Sequence, residues 1–176
     1  MSNLLMNLRF GMNFPPRKHC IIGGLIVLVW VATGCSPAVD RDYWSLAEVQ
    51  IQAVVQAIRQ YQHTYPTKTL NQSHDGLVLN REVAAVLTAT GPAALLDERN
   101  PDRERFLDVG PRGLADGLLI DPWGNALNIV LDSNRLAALL GEKAAHPGVP
   151  AVWSNGPNGI NENGQGDDVA SWKPRR

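Results

Sequence analysis

The chain of 176 residues is long enough for one domain of ordinary size plus an additional segment. Hydrophobic residues make up 44% of it and charged residues 19%, which is typical of a globular protein and excludes wholesale disorder. The 16 Lys and Arg residues nearly balance the 17 Asp and Glu residues, so a nucleic-acid-binding protein built on a basic face is not expected.

The first 35 residues have the features of an export or anchoring segment. Residues 21–33 are free of charge and mostly apolar, and the charged residues before them are all basic. This stretch has the length of a signal-peptide core and is short of the roughly 20 residues that a membrane span needs. The sequence that follows, Ala32-Thr33-Gly34-Cys35-Ser36, resembles a lipobox, in which small residues precede a cysteine that becomes lipidated.

We therefore expect residues 1–34 to be a signal peptide or membrane anchor and Cys35 to carry lipid, followed by a short linker over residues 35–42. The alternative is an uncleaved membrane span over residues 20–39. In both cases the basic residues stay in the cytoplasm, so the remainder of the chain faces the periplasm or the outside of the membrane. Both cysteines lie at or before position 35, which excludes a disulfide framework or a cysteine zinc site in that remainder.

An apolar stripe predicts a helix directly after the linker. Its members recur at alternating spacings of three and four residues: Trp44, Ala47, Ile51, Val54, Ile58 and Tyr61. This spacing is typical of one face of an amphipathic helix of about 20 residues. Tyr65-Pro66 predicts its end, because a residue before proline avoids the helical conformation. The stripe is more typical of a core face lying on a sheet than of a coiled-coil seam, which is the alternative.

The middle of the chain predicts a short helix between two polar segments. We expect a polar connection over residues 67–80 and a helix over residues 81–90, with Asn80 as its N-cap and Gly91 as its stop. Residues 91–105 are rich in Pro, Asp, Glu and Arg and predict a solvated loop. Residues 106–109 predict a short edge strand.

The last third of the chain predicts strands. Asp121-Pro122-Trp123-Gly124 matches a type I β-turn and predicts a hairpin. We expect an inserted helix over residues 134–146, strands over residues 149–154 and 169–172, and a basic tail over residues 173–176. The sheet residues expected to face the first helix are Leu127, Ile129, Leu131, Val152 and Trp172.

Three motifs in this order resemble the globular domain of type II secretion pseudopilins, most closely the major pseudopilin. They are Y-x-x-x-Y-P at residues 61–66, D-P-W-G-N at 121–125, and W-S-N-G-P-N-G with G-D-D-V-x-S-W within 153–172. The resemblance covers residues 43–172. It implies an α+β, type IV pilin-like fold, in which a long N-terminal amphipathic helix packs on a small three- to four-stranded antiparallel sheet.

The resemblance implies a structural or interaction protein related to type II secretion and not an enzyme. No phosphate-binding loop and no G-x-S-x-G, H-E-x-x-H or G-x-G-x-x-G motif occurs in the sequence. The expected partners are the membrane and secretion-system or pseudopilus proteins. The family's cleavage motif is missing, and the lipobox-like sequence takes its place. The alternative is a free-standing envelope lipoprotein that binds a small ligand or a partner protein.

The loop over residues 154–168 predicts a calcium site, because it is rich in Asn, Asp and Gly and contains no Lys or Arg. The resemblance implies ligands after the Ser-x-Gly turn and just before the last strand, where Asn158 stands in place of a common Asp. The candidate metal ligands are Ser154, Asn158, Glu162, Asp167 and Asp168. The alternative is a loop that is held only by its own side-chain to backbone hydrogen bonds.

Overall fold

The computed structural model describes residues 37–70, 76–110, 112–132, 137–138 and 149–173. Within these residues the chain is α+β, as predicted, with three helices and two small antiparallel sheets. The elements are α1 (Pro37–Thr64), α2 (Gly76–Leu87), α3 (Ala93–Arg99), β1 (Leu114–Ala115), β2 (Leu118–Leu119), β3 (Asn128–Val130), β4 (Ala151–Ser154) and β5 (Val169–Ala170). The predicted signal segment, Cys35 and nearly all of the predicted helix over residues 134–146 lie outside the described residues.

The sheets are a pair, β1-β2, and a three-stranded sheet in the order β3-β4-β5. The Asp121–Gly124 turn joins β2 to β3, and a single bridge between Ile120 and Ala126 is formed next to it. Among the described residues, no helix is both long and apolar enough to cross a membrane.

The main core lies between α1, α2 and the three-stranded sheet. The apolar stripe on α1 is buried from Ala47 to Tyr61, and Trp44 at its start is partly buried. Leu127, Ile129 and Val152 also belong to this core. The stripe forms one apolar face on the helix, and alternate residues form one apolar face on the strands. These two faces pack against each other and are both buried.

Trp172 does not face α1, contrary to our prediction. It packs edge-on against Trp153, with ring centroids 5.7 Å apart, in a second apolar cluster with Val130, Ala151 and Ala170. Successive side chains of an extended chain point to opposite faces. Because Val169 lies in the main core, Ala170 faces the opposite side of the sheet, and Trp172 packs against the same second cluster just after the strand ends.

Helix α2 begins five residues before the predicted start, so Asn80 is not an N-cap. The Asn80 side chain is fully buried. Its amide nitrogen donates to the carbonyls of Leu119 (3.0 Å) and Leu127 (2.6 Å), and its amide oxygen accepts from the Leu119 N–H at 2.8 Å. An N-cap side chain accepts from an N–H of its own helix. Here the same functional group instead joins α2 to the hairpin.

The predicted solvated loop over residues 91–105 contains helix α3. Leu96 of this helix and Asn100, which follows its last residue, are both buried. Asn100 is fully buried, and its amide donates to the carbonyls of Val86 and Glu104. The edge strand predicted over residues 106–109 is not formed. The N–H groups of Phe106 and Leu107 both donate to the carbonyl of Leu87, at 2.9 and 3.0 Å, and so satisfy the end of α2.

Candidate metal centre

The acidic loop over residues 155–168 begins and ends on neighbouring strands. Strands β4 and β5 are antiparallel, with Ser154 opposite Val169. The residues just outside this pair, Asn155 and Asp168, therefore start and close the loop side by side. Because the strand pairing holds both ends, the loop can order its polar side chains against one another.

Asp168 is the buried centre of this loop, with 1% of its surface exposed. Its Oδ2 atom accepts hydrogen bonds from the N–H groups of Glu162 (3.0 Å) and Gly164 (2.7 Å). Its Oδ1 atom is also buried, and no group among the described residues forms a hydrogen bond with it. Buried carboxylate oxygens are normally paired, since leaving one unpaired costs free energy.

Burial raises the pKa of the Asp168 carboxyl above its ordinary value, because the charged form is deprived of water. The N–H groups of Gly164 and Glu162 lower this pKa in part, the negative charge of Glu162 raises it, and the positive charge of Lys173 makes the smallest contribution, which lowers it. A cation beside the free Oδ1 atom would favour the charged form and offset the cost of burying it.

Two further carboxylates lie beside Asp168. One carboxylate oxygen from each of Glu162, Asp167 and Asp168 lies within 4.8 Å of the other two. We call these three residues the carboxylate cluster. Glu162 Oε2 also accepts from the Asp167 N–H at 3.0 Å, which ties two members of the cluster together.

Asn158 extends the cluster toward solvent. Its Nδ2 donates to Asp167 Oδ1 at 2.5 Å, and its own N–H donates to Asp167 Oδ2 at 3.2 Å. Its Oδ1 accepts from the Ile160 N–H, and Asn158 itself is exposed. The side chain is thus adjacent to the cluster and holds one of its members.

Ser154, the fifth predicted ligand, makes different contacts. Its hydroxyl donates to Asp121 Oδ2 at 2.5 Å and accepts from the Gly156 N–H at 3.0 Å, and both Ser154 and Asp121 are buried. Asp121 Oδ1 accepts from the N–H groups of Trp123 and Asn125. The serine therefore joins the hairpin turn to the start of the loop, and its hydroxyl is engaged there.

Gly164 shows why the loop needs glycine. Its backbone has φ +75°, and a Cβ atom built on it would run into the indole ring of Trp172. The same residue donates the 2.7 Å hydrogen bond to Asp168. A larger residue would therefore displace either the tryptophan or one of the two donors that position the buried carboxylate.

The structure brings together Glu162, Asp167 and Asp168 and places Asn158 beside them, while Ser154 pairs with Asp121. We predicted Asp121 only as a turn residue. The Asp-Pro-Trp-Gly pattern indicated the turn, but no local signal linked this carboxylate to a serine 33 positions later. The donor set fits calcium, which binds oxygen ligands and tolerates irregular geometry. No protein-family model matches the chain, and no curated protein or solved structure matches it.

Proposed function

We propose that this protein is a membrane-anchored, periplasm-facing structural or interaction protein of the pseudopilin-like type, related to type II secretion, in which one calcium ion stabilises the C-terminal loop. The motif order and the α+β class are compatible with a pilin-like domain. The ion would have a structural role: it would hold the loop between β4 and β5 in one conformation. A fixed surface is what a protein that acts by contact with partners requires.

The single observation that carries the calcium part of the proposal is the buried Oδ1 atom of Asp168, which lies beside two other carboxylates and has no hydrogen-bond partner within the described part of the chain. If hydrogen bonds alone held the loop, each buried acceptor in it would be expected to have a donor. Glu162, Asp167 and Asp168 would hold the ion, and Asn158 and backbone carbonyls are available to complete a set of oxygen ligands.

Calorimetry and thermal unfolding of the protein with and without calcium test this part. We expect calcium to bind and to raise the melting temperature, because a ligand held only by the folded state adds to its stability. At a calcium concentration 100 times the Kd, the gain is about 2.7 kcal/mol. Asp168→Asn is expected to abolish both the heat of binding and the thermal shift.

Asp108→Asn is the matched control, because it removes the same charge from an exposed residue outside the loop. It is expected to retain the response to calcium. Absence of heat and of a thermal shift at millimolar calcium would refute the calcium part. An equal loss in both variants would indicate that calcium acts through net charge and not through the cluster.

The membrane and secretion parts have a separate test. We expect mass spectrometry to find lipid on Cys35 and no residues 1–34, and we expect secretion-system proteins to co-purify with the chain from native membranes. An intact N-terminus in the membrane fraction would replace the lipid anchor by a membrane span. Recovery without any secretion-system protein, together with a thermal shift by small molecules but not by calcium, would favour a ligand-binding envelope lipoprotein.

A further inference from the structure

The acidic loop contains all three Asn-Gly pairs of the sequence: Asn155-Gly156, Asn158-Gly159 and Asn163-Gly164. Asn-Gly is the pair most prone to spontaneous deamidation, because glycine has no Cβ to hinder attack by its backbone nitrogen on the asparagine side chain. We propose that Asn158 is the deamidation site of this loop, and that the carboxylate formed there strengthens cation binding by the carboxylate cluster. The second half rests on the function proposed above.

Two of the three pairs are protected by the hydrogen bonds of the glycine nitrogen. The Gly156 N–H donates to Ser154 Oγ at 3.0 Å, and the Gly164 N–H donates to Asp168 Oδ2 at 2.7 Å. Both glycines are buried. Attack requires the glycine nitrogen to lose its proton and approach Cγ of the asparagine. Each of these hydrogen bonds must therefore break first. Because the glycines are buried, water is not available to replace the lost hydrogen bonds.

The third pair is less protected, because it is exposed and the hydrogen bond of its glycine nitrogen is longer. Asn158 and Gly159 are both exposed, and the Gly159 N–H donates to the Gly156 carbonyl at 3.3 Å, a long hydrogen bond. The Ile160 N–H donates to Asn158 Oδ1, the atom on which negative charge develops when the carbonyl carbon is attacked. A donor aimed at that atom lowers the barrier of the addition step. The structure therefore favours reaction at Asn158 over the other two sites.

The reaction needs no partner other than water. The Gly159 nitrogen forms a bond to Cγ of Asn158, the Cγ–Nδ2 bond breaks, and the proton from the Gly159 nitrogen leaves with the amide as ammonia. Water then opens the cyclic imide. Opening at the main-chain carbonyl carbon gives isoaspartate, and opening at Cγ gives aspartate. No atom changes its oxidation state.

The product changes the charge beside the cluster. When the imide opens at Cγ, Asn158 Nδ2, which now donates to Asp167 Oδ1 at 2.5 Å, is replaced by a carboxylate oxygen, so two negative groups face each other in the aspartate product. Without a cation they repel. With a cation the new oxygen adds both a charge and a ligand of the kind that calcium prefers. We expect the Asn158→Asp variant to bind calcium about tenfold more tightly than the unmodified chain.

The first test follows deamidation in the full chain, purified in detergent and held at mildly alkaline pH. Peptide mass spectrometry at intervals is expected to find that Asn158 converts severalfold faster than Asn155 and Asn163. In urea, where the protecting hydrogen bonds are lost, the three sites are expected to convert at similar rates. Native rates at Asn155 or Asn163 that equal the rate at Asn158 would overturn the site assignment.

The second test compares calcium calorimetry of Asn158→Asp with that of Asn163→Asp. The control makes the same charge change at another exposed residue of the same loop. Tighter binding in Asn158→Asp than in Asn163→Asp supports the inference, and equal affinities would overturn its second half. If neither variant nor the unmodified chain binds calcium, the proposed cation site itself fails, and the deamidation site is judged by the mass spectra alone.

Discussion

Asn80 is the side chain whose removal should be most informative about this fold. It stands between Leu119 and Leu127, two buried hairpin residues that share one direct hydrogen bond, from the Leu127 N–H to the Leu119 carbonyl at 2.9 Å. The Asn80 amide forms hydrogen bonds with the two backbone groups that this direct bond does not use, the Leu119 N–H and the Leu127 carbonyl. A leucine at position 80 has a similar volume but forms none of these hydrogen bonds.

Asn80→Leu therefore leaves two buried backbone groups without a partner, while the Leu119 carbonyl keeps the Leu127 N–H. Each buried, unpaired polar group costs about 1–3 kcal/mol, so we expect the free energy of unfolding to fall by about 2–6 kcal/mol. This is a large fraction of the roughly 5–15 kcal/mol that stabilises a typical domain.

Urea unfolding followed by tryptophan fluorescence measures this change through the transition midpoint and its slope. Arg81→Ala is the neighbouring control, because Arg81 is exposed, and it is expected to change the free energy of unfolding by no more than about 0.5 kcal/mol. A loss below about 1 kcal/mol in Asn80→Leu would refute the reasoning. It would indicate that Leu119 and Leu127 close on each other and pair directly.

Three further outcomes are expected. Ile58→Ala should lower the free energy of unfolding by about 2–5 kcal/mol in urea titrations, because Ile58 is fully buried. Val49→Ala, at a position that is 65% exposed, should change it little. Equal effects of the two substitutions would contradict the assigned helix face. Burial and a hydrogen bond to Asp102 raise the pKa of Tyr65, so the stability that this residue contributes is present below the ordinary tyrosine pKa of about 10 and is lost as the pH rises above it. Tyr65→Phe should flatten the alkaline limb of the stability curve, and an unchanged limb would contradict this. Cys35→Ser should prevent lipid attachment and leave residues 1–34 in place, and mass spectrometry that finds the same processed N-terminus would contradict the lipid anchor.

The α+β class, the buried face of α1 and the two strands that frame the acidic loop were predictable from the sequence. Each depends on a local pattern. The stripe from Ala47 to Tyr61 repeats with the helical period, and the strands β4 and β5 are short apolar runs next to turn-forming segments. Helix α3 was not predictable in this way. Its segment is rich in charged residues, and it is held by the burial of Leu96 and Asn100, which depends on the position of α2.

Asn80 shows why residue type alone can mislead. Asparagine before an apolar stretch is the usual sign of a helix N-cap, but its amide can satisfy any backbone group within reach. Here that group belongs to a hairpin about 40 positions later in the chain. The sequence contains both the asparagine and the hairpin, but only their packing shows that they meet.

For the acidic loop, too, part of the description was predictable from the sequence and part required the folded structure. Its oxygen-rich composition and lack of Lys and Arg predicted a cation site with Glu162, Asp167 and Asp168 among the possible ligands, and the resemblance to pseudopilins directed attention to the positions just before the last strand. Only the folded structure shows that one buried oxygen of Asp168 has no hydrogen-bond partner among the described residues, and that the Ser154 hydroxyl donates to Asp121. The physical reason is one of range. Periodicity and composition are properties of residues that are close in the chain. Burial and the choice of hydrogen-bond partner depend on segments that are far apart in the chain and that folding brings together.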